Sequence, residues 1–172
     1  MEFLSDFKPL DPYKLSDNIF DLLDNQWMLI TSGTLAKFNM MTASWGGFGV
    51  LWNKPIAIAF IRPQRYTYDF VEKNDYFNLT FYSKEYRKTL QFCGSKSGRE
   101  FDKAKETGLT PILTPNGIVT FQQARIVIDC KKLYFGDIEV NNFIDKSLIN
   151  KIYPDKDFHR FYIGEITGCY TK

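Results

Sequence analysis

Three short stretches of this 172-residue chain carry residue types that could hold an anion or a flat ring. Arg62-Pro63-Gln64-Arg65-Tyr66-Thr67-Tyr68 follows an apolar, strand-like run and opens a helical one. Thr67 is expected at the N-cap. There its hydroxyl and the free amides of the next turn would face a phosphate, with Arg65 supplying charge. Ser95-Lys96-Ser97-Gly98-Arg99, with Lys103 a helical turn further on, also suits a phosphate or a nicotinamide dinucleotide. Asn39-Met40-Met41-Thr42-Ala43-Ser44-Trp45-Gly46-Gly47 combines small hydroxyl residues, two Met and a Trp. Its backbone amides could hydrogen-bond a heterocycle while Met and Trp cover the ring. Each stretch also has a plain reading: a solvated turn, a surface loop, a strand with a glycine bulge. The single histidine, His159, could orient a ring, donate a proton or serve as a satisfied structural residue.

Other chemistries lack their patterns. Gly46-Gly47-Phe48-Gly49 does not fit GxGxxG, and Gly94-Ser95-Lys96-Ser97 lacks the spacing of a phosphate loop. There is no GxSxG elbow, and no Ser stands in a nucleophile context for His159. Cys93, Cys130 and Cys169 form neither a CxxC pair nor a disulfide framework. No metal site is expected, and the thiols read as reduced residues of a cytoplasmic protein.

Several strands must position these stretches. Trp27 to Thr31, Phe48 to Trp52, Ile56 to Ile61 and Tyr76 to Tyr82 read as strands, with a turn at Asn53-Lys54-Pro55. Ile56 to Ile61 is apolar throughout, as for a strand buried on both faces. Three longer runs follow: Gly117 to Cys130, Leu133 to Phe143 and Phe158 to Cys169, with a polar excursion from Asp145 to Asp157. Short helices are expected after a cap at Ser16-Asp17-Asn18, over Tyr68 to Lys73, over Lys84 to Cys93, and from Glu100 to Thr107 with Gly108 as C-cap. Many strands and few, short helices predict a mostly β chain. The expected architecture is an antiparallel, closed or partly closed barrel in a single domain over residues 1–172.

Composition agrees with a globular domain: 44% hydrophobic, 24% charged and 17% aromatic. A net charge of +2 does not point to nucleic acid. No apolar run approaches membrane-spanning length, and Met1 to Asp6 does not read as a signal peptide.

Four segments occur in the order of a known family: the Asn39–Gly46 stretch, Arg62 to Thr67, Ser97 to Lys103, and His159-Arg160-Phe161-Tyr162-Ile163-Gly164-Glu165-Ile166. Over roughly residues 25 to 168 the chain resembles the flavin reductase-like family, most of all its flavoredoxin branch. The resemblance implies an FMN-binding split β-barrel of Greek-key type, working as a homodimer with the flavin near the subunit interface. It implies that Asn39, Met40, Met41, Thr42, Ala43 and Ser44 line the ring and that Trp45 shapes the pocket. Arg65, Tyr66 and Thr67 would hold the ribityl phosphate, and Arg62 would be a further cofactor contact. Lys103 would sit near flavin or phosphate, Ser97 would add a contact, and His159 would lie by the ring. Phe158 stands where the family often has Asp, and the excursion after Asp145 is enlarged.

The implied reaction passes electrons from NADH or NADPH through bound FMN to a second acceptor, a small molecule or a protein. A flavin-binding electron carrier with no pyridine-nucleotide site, reduced by a partner protein, is the alternative. A lipocalin-type ligand barrel and a barrel of the pyridoxamine-phosphate oxidase kind also remain open.

Overall fold

The computed structural model describes residues 6–172. Residues 1–5, which hold most of the stretch read for a signal peptide, lie outside the described residues. The first long hairpin joins β2 (Met28–Thr34) to β3 (Lys37–Ala43), preceded by the two-residue β1 (Lys8–Pro9). Asn18 accepts from the Asp21 amide, so the expected cap does open the short helical stretch ahead of β2. A second hairpin joins β4 (Gly46–Leu51) to β5 (Lys54–Ile61). Its turn is Trp52-Asn53, both at positive φ (52° and 58°), one residue earlier than the sequence predicts. That two-residue loop matches the right-handed strand twist, so Lys54 and Pro55 are already in the ladder.

Helix α1 (Tyr66–Lys73) leads into β6 (Tyr76–Phe81), and α2 (Arg87–Ser95) and α3 (Lys103–Thr107) follow. Asp102, not Glu100, begins the third helix by accepting from the Lys105 amide, and Gly108 ends it in the left-handed conformation. The run expected as one strand from Gly117 is broken. β7 (Pro111–Leu113) and β8 (Val119–Phe121) form a small hairpin, and β9 (Ile126–Asp137) fuses the ends of two expected strands. Ile138 and Val140 alternate with polar residues but lie in irregular chain and a 3-10 turn, because β9 ends at its last pairing with β10. The excursion carries α4 (Ser147–Ile152), and β10 (Arg160–Thr171) closes the chain.

The main sheet is antiparallel and runs β3-β2-β6-β9-β10-β5-β4, with β1 beside the far end of β10. Consecutive strands β3 and β4 therefore occupy opposite edges. Six strand spacings of a flat sheet would separate them by about 29 Å. Only Ser44 and Trp45 join Ala43 to Gly46, a reach of at most about 11 Å. The sheet must curl until its edges nearly meet at this corner, yet no ladder joins β3 to β4 among the described residues. The molecule is mostly β, with the architecture of the split barrel.

Two cores hold the curl. Met28, Ile30, Met41, Ala57, Ala59, Phe77, Leu79, Phe81, Ile128 and Tyr162 fill the inside. Leu29, Met40, Leu90, Cys93, Ala104, Phe121 and Val127 pack where α2, α3 and the small hairpin cover one outer face. Asn78 and Thr80, expected opposite the apolar face of β6, are buried by this second layer, where they bond Asp129 and Tyr82. The outer face of β5 and β10 is different. Ile58, Phe60, Phe161 and Ile163 are only half-buried there, so the all-apolar β5 is covered on one side alone.

Candidate functional site

The corner where β3 meets β4 is also where β5 ends and β10 begins. Pairing of Arg160 with Ile61 sets His159 beside the residues that leave β5. A cleft of about 220 Å³ opens there, lined by Met41 to Trp45, Phe60, Arg62, Arg65 and His159. Thr42, Ala43 and Ser44 also wall a neighbouring cavity of about 480 Å³ that reaches Trp27, Leu90 and Gly94. Together the two fall in the size range of cofactor sites. β3 is an edge strand hydrogen-bonded to β2 alone, so alternate backbone amides along it face away from the sheet. Such amides are free for a heterocycle.

The electrostatics centre on two arginines. Arg62 is committed: it donates to Asp157 and to the Ile152 carbonyl, and its guanidinium lies 5.3 Å from the Tyr153 ring centre. Arg65 is not. Its Nη2 is buried without a hydrogen-bond partner, and burial, then the charge of Arg62, hold its pKa below the ordinary value. A buried guanidinium nitrogen with no acceptor is costly, and a phosphate oxygen would supply one. The residues present therefore fit an anionic ligand at this end of the cleft.

His159 is buried, with its ring 5.0 Å from that of Trp45, and its Nδ1 shares a 2.9 Å hydrogen bond with the Tyr153 hydroxyl. Burial, reinforced by Arg62, pushes its pKa down to about 4. The imidazole is neutral at pH 7, so it can orient a ligand but does not hold a labile imidazolium proton.

The structure divides the residues singled out in the sequence. Met41, Thr42, Ala43, Ser44, Trp45, Arg62, Arg65 and His159 meet at the cleft. Asn39, Met40, Tyr66 and Lys103 line a separate cavity of about 530 Å³ beside β3. Thr67 is not the N-cap: Arg65 holds that position, and the Thr67 hydroxyl is buried, accepting from Asn39 Nδ2 at 2.8 Å. The helix starts earlier because Arg65 is already extended and Tyr66 helical. Ser97 accepts from the Arg99 amide instead of lining either space. Lys103 is buried and donates to the Met40 and Cys93 carbonyls, each at 2.9 Å. Burial brings its pKa down to about 8. The two Met do not form an exposed cushion, since Met40 packs in the outer core and Met41 in the inner one. Trp45 is the exposed aromatic of that stretch.

Sequence reasoning missed Phe60, Tyr153 and Asp157. Phe60 was legible as the last aromatic before Arg62. Tyr153 and Asp157 meet Arg62 across about ninety residues of chain, and nothing local marks them.

The chain thus forms a strongly curled, split antiparallel barrel with an edge-strand cleft and an arginine whose buried nitrogen has no partner. The chain belongs to the flavin reductase like domain family, which it matches over residues 21–172. Solved structures agree on the fold. Flavoredoxin from Methanosarcina acetivorans superposes with a TM-score of 0.66 at 19% identity, covering 86% of this chain and 68% of that one. Flavoredoxin of Desulfovibrio vulgaris (Miyazaki F) gives 0.66 at 20% identity, with 92% and 75% covered. An FMN-binding domain of a flavin reductase-like enzyme from Shewanella baltica gives 0.69 at 15% identity, with 96% and 76% covered. No match was found among curated proteins. No helix among the described residues is long and apolar enough to cross a membrane.

Proposed function

We propose that this chain is an FMN-dependent oxidoreductase that takes electrons from NADH or NADPH and passes them to a second acceptor, a small molecule or a protein. The observation that carries this reading is Arg65, which lines the cleft and whose Nη2 is buried without a hydrogen-bond partner. Family membership supports a flavin nucleotide as the anion's parent. FMN, when bound, supplies a ring that accepts hydride and releases electrons.

The chain's own residues bind and orient. Arg65, with Arg62 behind it, holds the phosphate. The outward amides of β3 from Met41 to Ser44 meet the ring edge, where fixed dipoles favour negative charge on reduction. Trp45 and Phe60 exclude water from the cleft, and His159 offers a neutral polar group. The protein acts as a homodimer through the uncovered outer face of β5 and β10. Ile58, Phe60, Phe161, Ile163 and the exposed Tyr134 and Trp52 make that face apolar. Three free, buried thiols support a cytoplasmic setting.

The test is reconstitution with FMN followed by anaerobic stopped-flow mixing with NADH or NADPH. Bound flavin that bleaches rapidly supports the reductase. Bound flavin that stays yellow leaves an electron carrier reduced by a partner protein. A chain that takes up no FMN removes both.

A further inference from the structure

The segment between β9 and β10 is fastened at several points to residues that line the cleft or neighbour it. Arg62 and Gln64 both donate to Asp157, and Arg62 also donates to the Ile152 carbonyl. The His159 carbonyl accepts from the Ile138 amide, closing the base of the loop. Tyr153 sits at the centre of these ties. Its ring packs 4.8 Å from Phe158 and 6.1 Å from Phe143, and Arg62 lies over it. It is 5% exposed, so its ring is enclosed by these neighbours.

The Tyr153 hydroxyl has one hydrogen-bond partner among the described residues, His159 Nδ1. Either atom of such a pair could donate. If Nδ1 carried the proton, the buried Tyr153 O–H would be left without an acceptor, at a cost of about 1–3 kcal/mol. If the hydroxyl donates, both groups are satisfied. The second nitrogen, Nε2, then carries the ring proton, and it has no partner among the described residues although the ring lines the cleft.

We propose that Tyr153 is a positioning residue that locks His159 in the Nε2–H tautomer, making it an uncharged hydrogen-bond donor to the cleft. A donor of this kind suits a neutral acceptor such as a ring carbonyl or a carboxamide oxygen. Only the identity of that acceptor rests on the function proposed above. The groups facing the imidazole are Arg62 and Asp157 from either side of the fastening, Tyr153 from the loop, and Trp45 and Phe60 from the barrel.

His159 is the chain's only histidine, so its nitrogens are identified without ambiguity. Long-range proton–nitrogen correlation spectra of the nitrogen-15-labelled full chain at pH 7 should show a protonated Nε2 and an unprotonated Nδ1. In Tyr153→Phe the two tautomers should mix. The titration midpoint of the ring should also rise by about half a unit to one unit, the size expected for a lost hydrogen bond to the neutral form. A protonated Nδ1 in the unmodified chain overturns the proposal. So does a Tyr153→Phe spectrum with unchanged tautomer and midpoint. If that variant fails to fold, the unmodified chain alone decides. A parallel FMN titration separates the two readings: absent flavin binding with the Nε2–H tautomer intact sinks the proposed function and leaves this assignment standing.

Discussion

The ammonium of Lys103 bridges the Met40 carbonyl on β3 and the Cys93 carbonyl on α2, at 2.9 Å each. A cation expected at the ligand instead fastens the strand that carries the cleft to the helix behind it. The two contacts satisfy two buried carbonyls at the cost of burying a charge.

That cost sets a pH dependence. The folded-state pKa of Lys103, about 8, lies below the unfolded value near 10.5, so between those pH values the unfolded chain binds more protons. Stability contributed at this site therefore rises as pH increases through that window. A neutral amine still has two N–H donors for the two carbonyls. Urea unfolding of the unmodified chain and of Lys103→Met, compared at pH 7.0 (roughly neutral, below the shifted pKa) and near pH 10, should show the unmodified chain gaining on the variant. An unchanged difference would contradict the assignment.

Arg65→Ala should weaken FMN binding by about 1.5–3 kcal/mol, the range for losing a charge-assisted hydrogen bond. Flavin fluorescence titration reads this as a rise in Kd of about 10- to 150-fold. Folding stability should not fall with it, because removing a half-buried guanidinium whose Nη2 has no partner relieves a penalty. Equal FMN affinity in the variant would end the phosphate role.

Gly98 lies against Asn39: a Cβ there would fall 1.9 Å from Asn39 Oδ1. Gly98→Ala must displace Asn39 and break its bond to Thr67, costing about 1–3 kcal/mol by overpacking. Gly47→Ala on edge strand β4 meets nothing within 4 Å and should be close to neutral. Thermal unfolding of both variants checks the contrast, and similar Tm values would refute the close approach.

Asp157 anchors the β9–β10 loop to Arg62 and Gln64. Burial would raise its carboxyl, but hydrogen bonds from Arg62 and Gln64 outweigh it and hold the pKa below the ordinary range. The stability it contributes is present above the unfolded pKa and is lost as pH falls through the lower folded one. Asp157→Asn leaves the shielded Arg62 without its counter-charge and should cost about 1–2 kcal/mol. Asp69→Asn breaks the exposed pair with Arg99 and should cost at most about 0.5 kcal/mol. Chemical denaturation of the two variants measures the difference.

The local chemistry of the chain was readable from residue order. Asn18 and Gly108 end their helices as expected, because capping depends on one side chain or one backbone angle within a turn. Most strands were legible from their runs of apolar residues. The fused β9 was not. Its central residues, Lys131 and Lys132, look like a break, but pairing with β6 and β10 on either side carries the strand through them.

Residue order by itself determined a mostly β chain, a β3 strand ending in small polar residues, and an Arg65 loop opening onto a helix. Tertiary structure alone decided that Arg62 is spent on Asp157 while Arg65 stays free. It also decided that Lys103 lies beneath the strand and that Tyr153 orients His159. Those outcomes depend on which groups meet after the sheet curls. Hydrogen-bond satisfaction in a buried site is fixed by neighbours far apart in the chain, which no local pattern records.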